Sequence, residues 1–249
     1  MYHQSVNKTQ VLHKLQALLD AYKAGEIPQL HKHEVNPGLN LGSRENYLYY
    51  MMTCSLNYQR SSPKTWQSAL DTWKDESTRY VFFPEKVVKS DTARLRADLL
   101  KHRLALQPER HIHIWQTLMK TLHDEFQSDP RVLFSTAGFD TDRVLHIVQK
   151  EMKKRFPYLS GPKLSNYFIY ILLNYSDLEL KNKEHLSIIP DTHIQQATAE
   201  LGILPKNKIS PTNVEQAWRE LLAGTQWSPV DFHPILWNWS RNGFKPEVG

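Results

Sequence analysis

The side chains and turns with the most to offer chemically lie between Phe156 and Ile203, in FPYLSGPKLSNYFIYILLNYSDLELKNKEHLSIIPDTHIQQATAELGI. Leu159-Ser160-Gly161-Pro162-Lys163 cannot continue a helix, because Pro162 lacks an amide hydrogen and disfavours helical backbone at Gly161. Leu164, Tyr167, Phe168, Ile171 and Leu172 then recur at three- and four-residue spacing with apolar neighbours, the pattern of a helix buried on most sides. A turn feeding such a helix leaves backbone amides facing outward beside the amine of Lys163, an arrangement that holds a phosphate. Asp191 opens a second helix, whose terminus favours the anionic carboxylate. Such an Asp can simply cap the helix, or it can serve as a fixed negative charge beside a reacting group, and spacing alone leaves both readings open.

Histidines offer a second kind of chemistry. His31 and His33 share a loop, His111 and His113 form an H-x-H, and His123-Asp124 an H-D pair. The loop pair could suggest metal but has no second pair of soft ligands nearby in sequence. The H-x-H and H-D pairs would suit a helical metal-dependent phosphohydrolase, but His111 and His113, two apart in a helix, do not share a face. The single cysteine, Cys54, excludes an internal disulfide and any four-cysteine metal cluster.

The 156–203 block resembles the helix-hairpin-helix DNA glycosylases, the superfamily of endonuclease III, the adenine glycosylase MutY and the archaeal 8-oxoguanine glycosylases. The family hairpin reads roughly L-P-G-V-G-R-K, and a V-D-[TV]-H-[VI] motif follows at the start of a later helix. Leu159-Ser160-Gly161 matches the hairpin's opening, and Pro190-Asp191-Thr192-His193-Ile194 matches the second motif. Gln196-Ala197 and Leu201-Gly202 also fit. Weaker matches fall at Gly42-Ser43-Arg44-Glu45, Asn57-Tyr58-Gln59 and Trp227-Ser228-Pro229-Val230-Asp231.

The resemblance implies a monomeric base-excision enzyme acting on double-stranded DNA that carries a damaged or mismatched base. It implies no cofactor beyond a monovalent cation at the hairpin, and no iron–sulfur cluster. Leu159, Ser160, Gly161, Pro162 and Lys163 would clamp a backbone phosphate. Asn57, Tyr58 and Gln59 would line the base pocket. Asp191 would be the essential carboxylate, since breaking the bond between base and deoxyribose builds positive charge on the sugar. Aligned without gaps, the family's nucleophilic Lys falls on Ser165, as in the MutY-like members in which water attacks. Lys163 stands two residues away and can present an amine instead, so AP-lyase activity stays open. The stretch to Asp191 is longer than in endonuclease III, and Asn174 to Ile189 reads as an insertion. A non-catalytic DNA-binding relative and the metal hydrolase are the rival readings.

The elements that must position these groups are helices throughout. Asn7 to Lys23 carries one apolar stripe, and Ser43 caps a helix to about Gln59 that is apolar on almost every face. Ser62-Pro63, Ser90 or Asp91, Asp140 or Thr141, Ser210-Pro211 and Ser228-Pro229 each read as a further start. Glu109 to Phe126 forms a clean stripe, and the Asp140/Thr141 helix is expected to run unbroken to Arg155. Arg94, Arg96, Lys101, His102 and Arg103 crowd one helix surface that is either solvated or set along a phosphate backbone. The expectation is an all-α chain of nine or ten helices, with a tail after Gly243 that looks disordered. The resemblance divides it into a six-helix barrel over 43–165 and a second lobe from 1–42 plus 166–249, with DNA between them.

The formal net charge is +5 over 249 residues, and the pI is about 9.1. That balance permits a polyanionic partner without demanding one. No apolar run of membrane-spanning length is present, nor an apolar leader, and with a single cysteine this points to a cytoplasmic protein; the resemblance implies that it is nucleoid-associated.

Overall fold

The computed structural model describes residues 7–28 and 34–249, so the expected loop pair His31 and His33 lies outside the described residues. Among the described residues the chain is all-α, with twelve α-helices, short 3-10 turns and one isolated bridge between Asp140 and Lys181. No helix is long and apolar enough to cross a membrane among those residues. Two compact units are present: Met1–Lys32 with Lys183–Gly249, and His33–Asn182.

The unit His33–Asn182 contains α2 (Arg44–Ser55), α3 (Ser62–Lys74), α4 (Pro84–Val87), α5 (Thr92–Lys101), α6 (Pro108–Glu125), α7 (Pro130–Thr136), α8 (Thr141–His146) and α9 (Pro162–Tyr175). Helix α2 explains the rest, because every residue from Asn46 to Ser55 is buried. The Tyr49 ring lies 5.2–6.1 Å from those of Tyr50, Trp66, Trp73 and Phe82. Trp115 of α6 closes that cluster and donates its Nε1–H to the Val81 carbonyl at 2.8 Å. Helix α9 packs along α2, with Tyr50 stacked on Tyr175 at 5.3 Å. The Asn46 side-chain amide donates to the carbonyls of both Leu41 and Tyr175. The expected lobe boundary at 165 falls inside α9, and the whole helix belongs to the unit of α2.

Local chemistry sets most helix starts. Ser43, Asp91, Asp140, Asp191 and Ser210 each accept a backbone N–H three residues on, which satisfies one orphan donor of each first turn. Ser62 departs from expectation: Ser61 occupies the cap position, and Ser62 lies inside the first turn with its hydroxyl turned to Asn57 and Tyr167. The run from Thr141 to Arg155 is not one helix. It passes from α8 through a π turn at Ile147–Glu151 into a 3-10 turn at Lys153–Arg155, with the Met152 amide bonded to the Ile147 carbonyl five residues back. Such a widened turn shifts the register of everything after it, here the basic run and the hairpin.

The other unit contains α1 (Lys8–Lys23), α10 (Thr192–Glu200), α11 (Pro211–Leu222) and α12 (Pro229–Arg241). Leu15 and Leu18 of α1 share one core with Ile194, Trp218, Phe232 and Leu236. The tail expected to be disordered is packed instead: Phe244 lies edge-on to Trp239 at 5.0 Å, and Trp239 donates its Nε1–H to the Pro246 carbonyl.

Candidate nucleic-acid interface

In the unit His33–Asn182, the turn before α9 is held by its own backbone. The amides of Leu159, Ser160 and Gly161 donate to the carbonyls of Pro157, Phe156 and Tyr158, at 2.8–3.0 Å. Gly161 sits at a close approach, where a Cβ would lie 3.2 Å from the Tyr158 carbonyl oxygen, a tight contact. These bonds correct the expected clamp. Three of its amides are spent inside the turn, and Pro162 has none. Leu159 is fully buried and anchors the turn from below. The donors left are the amides of Lys163 and Leu164 in the first turn of α9, beside the exposed Lys163 side chain. The positive helix end still favours an anion there.

Ser165 is also corrected. It is wholly buried, donates its hydroxyl to the Pro162 carbonyl at 3.0 Å and accepts from Gln149 Nε2 at 2.6 Å. It ties the turn to the π segment and presents nothing to a substrate.

The structure brings the segment Asn57-Tyr58-Gln59 against this turn. Tyr58 is 41% exposed, and its ring lies 5.1 Å from that of Tyr158, two residues before Ser160. Behind it a polar chain runs inward. Asn57 Nδ2 donates to Ser62 Oγ at 3.2 Å, the Ser62 and Tyr167 hydroxyls lie 3.4 Å apart, and Trp66 Nε1 donates to Tyr167 at 3.3 Å. Burial pushes the Tyr167 hydroxyl well above its ordinary pKa. The Oδ1 atom of Asn57 is buried with no hydrogen-bond partner among the described residues. Gln59 is exposed in the left-handed region, at φ +52°.

Asp191 belongs to the other unit and caps α10, its Oδ1 accepting the Ile194 amide at 3.0 Å. Its second oxygen accepts no hydrogen bond from the described residues. His193 is engaged locally, with Nδ1 3.2 Å from the Ser240 hydroxyl and its ring edge-on to Trp237.

No family model matches the chain, and no curated protein is similar to it.

The remaining sequence candidates resolve by position. His111 is buried with Nδ1 accepting the Leu106 amide at 3.1 Å, whereas His113 is exposed, so the H-x-H pair does not converge. No group of three His, Cys, Asp or Glu side chains is placed to hold a metal ion among the described residues. The crowded α5 surface is largely paired: Arg94 with Asp98, Arg96 with Glu109, and Lys101 and His102 with Asp75. Tyr158 and Arg110 were not singled out from sequence, although Arg110 lies 4.8 Å over the Tyr158 ring. An aromatic residue directly before the L-S-G turn was the available signal.

Proposed function

We propose that this chain is a DNA glycosylase of the helix-hairpin-helix kind, which extrudes a damaged or mismatched base and breaks its bond to deoxyribose. The observation that carries the reading is the contact between the Tyr58 segment and the turn before α9. Base extrusion costs a few kcal/mol, and a loop that meets the unstacked base beside a turn that grips the strand offsets that cost. In this reading the Lys163 and Leu164 amides and the Lys163 amine hold a backbone phosphate. The Asp191 carboxylate stabilises positive charge on the sugar as a nucleophile attacks. With Ser165 sealed in the core, that nucleophile is water or the amine of Lys163, and only the amine route gives AP-lyase activity.

The test is a panel of duplexes carrying 8-oxoguanine, uracil, alkylated bases or mismatches, incubated with wild type and Asp191→Asn. Base release by wild type alone supports the reading. A protein–DNA adduct trapped by borohydride identifies the Lys163 route. Binding without release by either protein assigns the chain to the non-catalytic DNA-binding alternative and overturns the glycosylase reading.

A further inference from the structure

We propose that Tyr58 and Tyr158, with Arg110, Arg60 and Arg103 around them, form a platform for one unpaired nucleotide of a DNA strand, its base on the tyrosines and its phosphates on the arginines. The substrate class that follows is DNA already open at a base rather than intact duplex. The inference rests on the reading that the chain binds DNA, but it does not depend on any base being removed.

The geometry is that of two rings in tilted contact, their planes 51° apart. The Tyr58 and Tyr158 rings lie 5.1 Å apart, and the Arg110 guanidinium lies 4.8 Å over Tyr158. Arg110 thus covers one face of Tyr158, while Tyr58 leaves 41% of its surface open to solvent. A base laid on the open part of Tyr58 would suit every base, because each has a π face.

The charges that act on this region are positive. Arg60 lies half inside the protein, donating Nη1 to the Leu104 carbonyl at 2.6 Å and Nη2 to the Arg103 carbonyl at 3.0 Å. Its pKa is pulled down to about 10 by burial and by the Arg103 charge. The nearby His111 imidazole is held down to about 4 by burial, Arg60 and Arg110. The carboxylate next along the chain, Glu109, is committed to Arg96 at 2.5 Å. Positive groups collected around exposed rings match a nucleotide's phosphate and base together.

The backbone adds a third observation. Tyr158, Gln59 and Arg103 all have positive φ, at +62°, +52° and +60°, a region that a bulky side chain enters at a cost. At Tyr158, glycine would meet the backbone requirement without that cost. The fold instead carries a ring there, and the ring is what touches Tyr58 and Arg110.

Fluorescence anisotropy on the full chain tests this with four labelled probes of one sequence: a fully paired duplex, the same duplex with one unpaired nucleotide, that probe with the unpaired base replaced by abasic tetrahydrofuran, and the unpaired strand as RNA. Wild type should bind the unpaired base about 5- to 150-fold more tightly than its abasic counterpart, the factor expected of one stacked base. Tyr58→Ala and Tyr158→Gly should each abolish most of that difference. Arg110→Ala should lower the log–log salt slope by roughly 0.7, one single-strand phosphate contact. Circular dichroism melting verifies folding; if Tyr158→Gly fails to fold, the exposed Tyr58→Ala decides alone. Equal binding of the base-bearing and abasic probes overturns the platform while leaving DNA binding intact. Failure to bind any DNA probe overturns the underlying reading instead, and tighter binding of the RNA overturns the assignment to DNA.

Discussion

Substituting Asp191 by Asn and by Ala separates two roles for one carboxylate. Its Oδ1 accepts the Ile194 amide at 3.0 Å, and Asn can make the same bond, since it caps helices about as well as Asp. Asp191→Ala removes the acceptor and should cost about 1 kcal/mol, a fall in Tm of about 2–4 °C for a chain of this size. Asp191→Asn loses only the attraction between charge and helix end, roughly 0.3–1 kcal/mol, and should melt about 1–4 °C below wild type. If the carboxylate also stabilises charge on the sugar, both variants should lose about 100- to 1,000-fold in single-turnover base release, the usual worth of one preorganised electrostatic contact. Differential scanning fluorimetry gives the first quantity, and gel-resolved cleavage of a lesion duplex at saturating enzyme gives the second. An Asn variant as active as wild type refutes the catalytic role. An Ala variant as stable as wild type refutes the cap.

Three further outcomes are expected. Lys163→Ala should weaken duplex binding at low salt and reduce the slope of log affinity against log salt by about 0.9, one phosphate contact; an unchanged slope places that amine away from DNA. His111 has a folded pKa of about 4 against an ordinary value of 6.5, so the unfolded chain binds the extra proton between those values. Stability from this residue is therefore present above pH 6.5 and is lost as pH falls toward 4. His111→Asn, which keeps an acceptor for the Leu106 amide, should flatten urea-measured stability across that window, and an unaltered pH profile would count against the assignment. Trp115→Phe strips the 2.8 Å hydrogen bond from the buried Val81 carbonyl and should lower stability by about 1–3 kcal/mol, read as a shifted urea midpoint with unchanged slope.

The helical architecture was legible because caps and apolar spacing are local. Ser43, Asp91, Asp140, Asp191 and Ser210 act where short-range pattern places them, and the all-round apolar α2 is the helix buried at the centre of its unit. What stayed hidden depends on register or distant partners. The π turn at Ile147–Glu151 has no composition signal and broke an expected straight helix. Ser165 was placed in sequence only by its alignment with the family's Lys, and its bonds to Gln149 and Pro162 depend on a register that spacing does not show. Three amides expected to face outward are bonded within the turn instead, because sequence identifies a turn without showing which amides the turn itself consumes. The partnership of Tyr58 with Tyr158 and Arg110 joins three separate stretches of chain, which no local spacing encodes.

One unit is assembled from both ends of the chain, with the other inserted between them. During synthesis His33–Asn182 can therefore fold as soon as it emerges, since everything it needs is contiguous. Helix α1 cannot. Its apolar stripe, with Leu15 and Leu18 fully sequestered in the finished protein, has no lid until 183–249 leave the ribosome, an interval of tens of seconds at about 5–20 residues per second. Through that interval the newborn amino-terminal helix is a natural client for a holding chaperone.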